Sequence, residues 1–121
     1  MRITVAAVLS LAIVAFAAAP AFAGYGALAR DPSTGKFGLS WDKATQKEAE
    51  ESAIRDCGGD SCKIVFRTTA RQCGAIATPE KGEGWGAAYR PSRDAASLAA
   101  MNNCQKNTKE QCKVRAAGCN K

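Results

Sequence analysis

Six cysteines and no histidine set the chemistry open to this chain of 121 residues. Without imidazole, the Ser-His-Asp and Cys-His nucleophile pairs are excluded, as is every metal site built on histidine. Cys57, Cys62, Cys73, Cys104, Cys112 and Cys119 contain no C-x-x-C pair, so the spacing indicates no metal centre, and no cofactor is expected. A hydrolase would have to use two carboxylates or a Ser-Lys pair. Eleven Asp and Glu residues are available, yet none stands in a catalytic motif. Glu80-Lys81-Gly82-Glu83-Gly84 has the composition of a turn, with its acids serving solubility. No catalytic residue is assigned, and the chain is read as a non-enzyme.

Binding chemistry is better represented. Trp41, Trp85 and Tyr89 are amphipathic side chains suited to an interface, with Arg67, Arg71, Arg90 and Arg93 near them in sequence. The competing role for these aromatics is the core, because large apolar residues are scarce. Lys and Arg number 17 against 11 acids, a formal net charge of +6. Lys106, Lys109, Lys113, Arg115 and Lys121 form the one basic cluster, a candidate for attachment to anionic envelope material. Elsewhere acids such as Glu48, Glu50 and Glu51 interrupt any basic stripe, and no nucleic-acid-binding signature is present.

The N-terminus explains where such a chain would work. Met1-Arg2 precedes an uncharged apolar run from Ile3 to Ala19, Pro20 breaks it, and Ala21-Phe22-Ala23 supplies small residues at a cleavage site. Residues 1–23 are therefore expected to be a secretory signal peptide removed after Ala23. The product would be periplasmic or extracellular, with no transmembrane segment in the mature chain, in a compartment where cysteines pair. Residues 24–121 contain only three Leu, three Ile, two Val and two Phe, so disulfides are needed to supplement a thin core.

These residues are positioned by an internal duplication, with halves at about 24–73 and 74–121 of a single domain. Gly26-Ala27-Leu28-Ala29 recurs as Gly74-Ala75-Ile76-Ala77, Phe37-Gly38 as Trp85-Gly86, and Trp41 as Tyr89. Cys57, Cys62 and Cys73 are matched with Cys104, Cys112 and Cys119. In the first half Tyr25–Ala29 reads as a strand, Asp31–Gly35 as a turn and Lys36–Trp41 as the returning strand. Thr45 with Glu48 forms a capping box, opening a helix whose small face is Ala49, Ala53 and Cys57. Gly58-Gly59 ends it, and Cys62–Thr68 follows as a strand with Ile64 and Phe66 on one face. In the second half Ser92 is the N-cap, Asp94 favours the first turn, Ala96, Ala100 and Cys104 repeat the face, and Val114 and Ala116 replace Ile64 and Phe66. The expected fold is α+β: two pseudo-symmetric ββαβ halves, antiparallel sheet with helices packed on one side, stapled by disulfides. Six cysteines allow fifteen pairings. The duplication favours 57–62, 104–112 and 73–119, the last joining the two halves.

The ordered set Tyr25-Gly26-Ala27-Leu28-Ala29, Gly38, Trp41, Cys57-Gly58, Cys73-Gly74-Ala75-Ile76-Ala77 and Gly84-Trp85-Gly86 resembles a secreted bacterial family catalogued as domain of unknown function 4189. The resemblance covers nearly all of residues 24–121. It implies an exported, stand-alone, cysteine-rich domain and supplies no activity or catalytic residue. The reading is an exported module binding a protein or envelope component, with electrostatic attachment as the alternative and a histidine-free hydrolase as the weakest of the three. Partner identity and oligomeric state are not specified by the sequence.

Overall fold

The fold is taken from a computed structural model, which describes residues 24–121. The expected signal peptide, residues 1–23, lies outside the described residues. The elements are β1 (Tyr25–Arg30), β2 (Phe37–Lys43), α1 (Gln46–Cys57), β3 (Lys63–Thr68), β4 (Cys73–Pro79), β5 (Gly86–Arg90), α2 (Arg93–Asn107) and β6 (Cys112–Cys119). They form two ββαβ halves, each an antiparallel three-stranded sheet, with strand orders β2-β1-β3 and β5-β4-β6. Among the described residues, no helix is long and apolar enough to cross a membrane.

Local chemistry sets the helix ends. The Thr45 hydroxyl accepts from the Glu48 amide and the Ser92 hydroxyl from the Ala95 amide, so each helix starts on a capped orphan donor. Gly58 closes α1 at φ 69°, the left-handed conformation that glycine adopts without a Cβ penalty.

Alternation along the central strands divides the core into three layers. Ala27 and Ala29 point to α1 and meet Ala49, Ala53 and Cys57. Ala75 and Ala77 point to α2 and meet Ala96, Ala100 and Cys104. Leu28 and Ile76, on the opposite faces, pack with Phe66 between the sheets. The sequence expectation is an antiparallel sheet with helices packed on one side, and within each half one helix covers one face of a sheet. The structure adds that there are two sheets, packed face to face, with the helices outermost.

The helices lie very close to their sheets, and two glycines allow it. A Cβ on Gly38 would meet the Ala53 carbonyl oxygen and the Cys57 nitrogen, well inside the 3.0 Å that real Cβ atoms keep. At Gly86 it would meet the Cys104 nitrogen and the Ala100 oxygen in the same way. The repeat of Phe37-Gly38 as Trp85-Gly86 therefore preserves a backbone-to-backbone helix contact.

Two sequence expectations are corrected here. Ile64 and Phe66 do not share a face. Leu28 pairs with Phe66 and Ala29 with Ile64, so Val65 is bulged out. Ile64 turns to the α1 layer and Phe66 to the layer between sheets. The bulge recurs at Arg115, because Ile76 pairs with Ala116 and Ala77 with Val114. The second correction concerns Cys73 and Cys119, which are not equivalent positions. Cys73 opens β4 and Cys119 closes the antiparallel β6, directly opposite it. Their disulfide therefore staples one sheet and does not join the halves.

All six cysteines are paired, as 57–62, 73–119 and 104–112, the set favoured by the duplication. Besides the core between the sheets, the C-terminus links the halves. The buried Asn120 donates from Nδ2 to Thr68 Oγ1 at 2.8 Å and to the Thr69 carbonyl at 2.9 Å. Its Oδ1 accepts from the Asp42 amide at 3.0 Å, which satisfies the side chain entirely within the first half.

Candidate functional site

The two hairpin connections, residues 31–36 and 80–85, meet at one end of the double sheet. Between them lies a cleft of about 510 Å³ lined by Arg30, Ser33, Thr34, Thr78, Glu83 and Trp85, with glycines and prolines completing the walls. Arg30 is the last residue of β1, and Trp85 immediately precedes β5. The Arg30 guanidinium lies over the Trp85 ring, 4.6 Å from its centroid, a cation–π stack that fixes the guanidinium plane. Arg30 Nε is buried and has no hydrogen-bond partner among the described residues. The ion pairs among the described residues, Lys47–Glu51, Arg67–Glu50 and Lys113–Glu80, do not include Arg30.

The wall on the β1–β2 side is held by Asp31, only 1% exposed. Its Oδ1 accepts from the Ser33 hydroxyl at 2.6 Å and the Ser33 amide at 2.8 Å, while Oδ2 accepts from the Ser61 amide at 3.3 Å. The Ser33 hydroxyl and then its amide, with help from the Ser61 and Thr34 amides, lower the Asp31 pKa to about 2 against the desolvation that opposes this. Asp31 thus stays ionised and ties the hairpin to the loop after α1. The Thr34 oxygen accepts from the Lys36 amide at 3.3 Å, leaving its hydroxyl proton free to donate.

The opposite wall is braced from β6. Arg115 donates to Thr78 Oγ1 at 2.7 Å and to the Pro79 carbonyl at 3.1 Å. Lys113 pairs with Glu80, and the hydrogen bond from Lys113, followed by its charge, lowers the Glu80 pKa. A second depression of about 550 Å³ adjoins across the shared Glu83, Gly84 and Trp85, and it is also lined by Val65, Ala87, Asn103 and Asn107. On this free edge of β5, Asn107 donates to the Trp85 carbonyl and Asn103 to the Ala87 carbonyl. Arg90 covers the Tyr89 carbonyl. Side chains therefore occupy the acceptors that a visiting strand would need.

The residues singled out from sequence are dispersed. Trp85 lies in the cleft. Trp41 is half-buried against Gly118 and Gly74, at the far end of β2 from the hairpin. Tyr89 is 44% exposed, its ring 5.6 Å from that of Phe66. The basic cluster is divided: Lys113 and Arg115 brace the cleft wall, whereas Lys106 and Lys109 lie exposed at the end of α2 and in the next loop. Arg67 pairs with Glu50, and Arg93 donates to the Ala117 carbonyl. Sequence reading missed Arg30 and Thr34. The available signal was the repeat itself, which aligns the two hairpins and places Arg30 opposite the uncharged Thr78.

Fold and cleft together define a small, disulfide-stapled α+β domain with two facing sheets and a polar, arginine-bearing mouth. The chain belongs to the family described as Domain of unknown function (DUF4189), whose model matches residues 25–119. It is 40% identical over 57 residues to Rv1269c of Mycobacterium tuberculosis, covering 47% of this chain and 44% of that protein. It is 45% identical over 53 residues to Mb1843c of Mycobacterium bovis, covering 44% of this chain and 35% of that one. The match thus spans less than half the length of either relative. The NMR structure of Rv1813c from Mycobacterium tuberculosis superposes with a TM-score of 0.59 at 25% identity, covering 99% of this chain and 95% of that one.

Proposed function

We propose that the protein is an exported, non-catalytic module that binds a protein or envelope component through the cleft between its hairpins. One observation carries this reading. The Arg30–Trp85 stack sets a cation, with no ion-pair partner among the described residues, at the wall of an open polar cleft. An arginine that lines a cleft without an acid partner is a place for a ligand acceptor. Export is supported by the pairing of all six cysteines, which suits an oxidising compartment, and by the apolar N-terminal run of the sequence. Attachment by the C-terminal basic cluster is less well supported, because Lys113 and Arg115 are engaged within the domain.

The test is capture from envelope extract on immobilised, oxidised protein, comparing wild type with Arg30→Gln. The expected result is a component that survives a high-salt wash on wild type and is lost on the variant. Equal capture by both would remove the cleft as the binding surface. No salt-resistant capture at all would remove the binding reading.

A further inference from the structure

Resting on the reading of the cleft as a recognition site, we infer that it takes a carboxylate carried by a ligand of roughly amino-acid size. The stack on Trp85 orients the guanidinium of Arg30; its Nε is buried without an acceptor among the described residues, so its Nη groups are the donors left for a ligand. A planar edge of N–H donors matches the two oxygens of a carboxylate, and the charge-assisted pair is stronger than a neutral hydrogen bond. No acid of the described chain forms an ion pair with Arg30.

Charge counting argues against a dianion. The ionisable residues lining the cleft are Arg30 and Glu83. Asp31 sits behind the wall with its oxygens taken by Ser33 and Ser61. One arginine alongside one lining carboxylate supplies too little positive charge for a phosphate dianion, which leaves the guanidinium's planar donors best matched by a single carboxylate. The hydroxyl proton of Thr34 is free to donate as well, whereas that of Ser33 is committed to Asp31. A cleft of about 510 Å³ holds more than the carboxylate alone. Gly35 lies beside the guanidinium, since a Cβ there would stand 3.7 Å from Arg30 Nη2.

The experiment follows the Arg30 Nε–Hε and Trp85 indole resonances of 15N-labelled, oxidised protein. The probes are N-acetyl-alanyl-alanine with a free carboxylate, its C-terminal amide, glucuronate, glucose and inorganic phosphate. Saturable shifts are expected from the carboxylates and not from the amide or glucose. A response to the peptide alone assigns the carboxylate to a peptide terminus, and one to glucuronate alone to a sugar acid. Arg30→Lys should weaken binding about tenfold, close to the worth of one charged hydrogen bond. Glu83→Gln, at an exposed position that leaves the core untouched, should strengthen it roughly twofold by removing a like charge. No saturable response to either carboxylate would overturn the inference. So would equal responses to carboxylate and amide, an equal or stronger response to phosphate, or unaltered binding by Arg30→Lys. Cleft-dependent capture of an envelope component without any carboxylate response would remove the carboxylate and leave the binding reading standing.

Discussion

Adding one methyl group at Gly38 or Gly86 tests whether these helices rest backbone to backbone on their sheets. In each case the new Cβ meets main-chain atoms of the helix, an oxygen and a nitrogen, which no side-chain rotation can move away. Relief therefore requires the helix to lift by about 1 Å, and a gap of that size forfeits a quarter to a half of the dispersion energy across the face. The faces affected are fully packed: Ala49 and Ala53 in one half, Ala96, Ala100 and Cys104 in the other, all at 0% exposure. Overpacking of this kind costs about 1–3 kcal/mol, and clashes with backbone belong at the upper end. The lost freedom of the unfolded chain returns about 0.4–1 kcal/mol. A net loss of about 2 kcal/mol follows, which at this domain size lowers Tm by roughly 8–16 °C. Thermal unfolding of the oxidised protein by circular dichroism measures it. Gly58→Ala is the control, since its Cβ would meet nothing nearer than 3.9 Å and only the positive φ of 69° is strained, at about 1 kcal/mol. If Gly38→Ala and Gly86→Ala cost no more than Gly58→Ala, the close approach is not what these glycines serve.

Two further outcomes follow from the fold. By loop closure alone, replacing Cys73 and Cys119 with Ala should cost about 4 kcal/mol, against about 2 for Cys57 and Cys62, because the sequence separations are 46 and 5; denaturant titration of the double variants gives the order. Asp31 has a folded pKa of about 2, below its ordinary 3.8, so its contribution is fully present above 3.8 and lost as pH falls towards 2. Asp31→Asn should therefore flatten the stability profile across that interval, and an unaltered acid limb would refute the role given to Ser33 and Ser61.

Much of the fold is legible in the sequence because its signals are local. Thr45 and Ser92 announce helix starts through hydroxyls that cap amides three residues on. The spacings Ala49-Ala53-Cys57 and Ala96-Ala100-Cys104 mark the faces that lie on the sheets. What periodicity cannot encode is a bulge, since one extra residue at Val65 or Arg115 reverses every later side chain. Nor does a repeat reveal how its two copies face each other. Trp41, Trp85 and Tyr89 look alike in sequence, but Trp41 is spent on Gly74 and Gly118 while Trp85 reaches the cleft. Arg30 is illegible for a related reason: its partner is contributed by the other half, 55 positions along the chain.

That cross-half pairing follows from two similar ββαβ halves facing each other. A single ββαβ unit leaves the outer face of Leu28 or Ile76 bare, and placing two copies face to face buries both with Phe66. The same step brings two hairpins to one end and creates a mouth that neither copy has alone. A symmetric dimer of identical units would line such a mouth with paired identical groups, and like charges there would repel. Two halves of one chain are free of that constraint. Arg30 is matched across the repeat by Thr78, Asp31 by Pro79 and Trp85 by Phe37. The cleft therefore holds one arginine on one tryptophan, one buried acid behind one wall, and Lys113 and Arg115 bracing the other. Symmetry is kept where the glycines seat the helices and broken where the hairpins meet, the division expected between a scaffold under packing constraint and loops free of it.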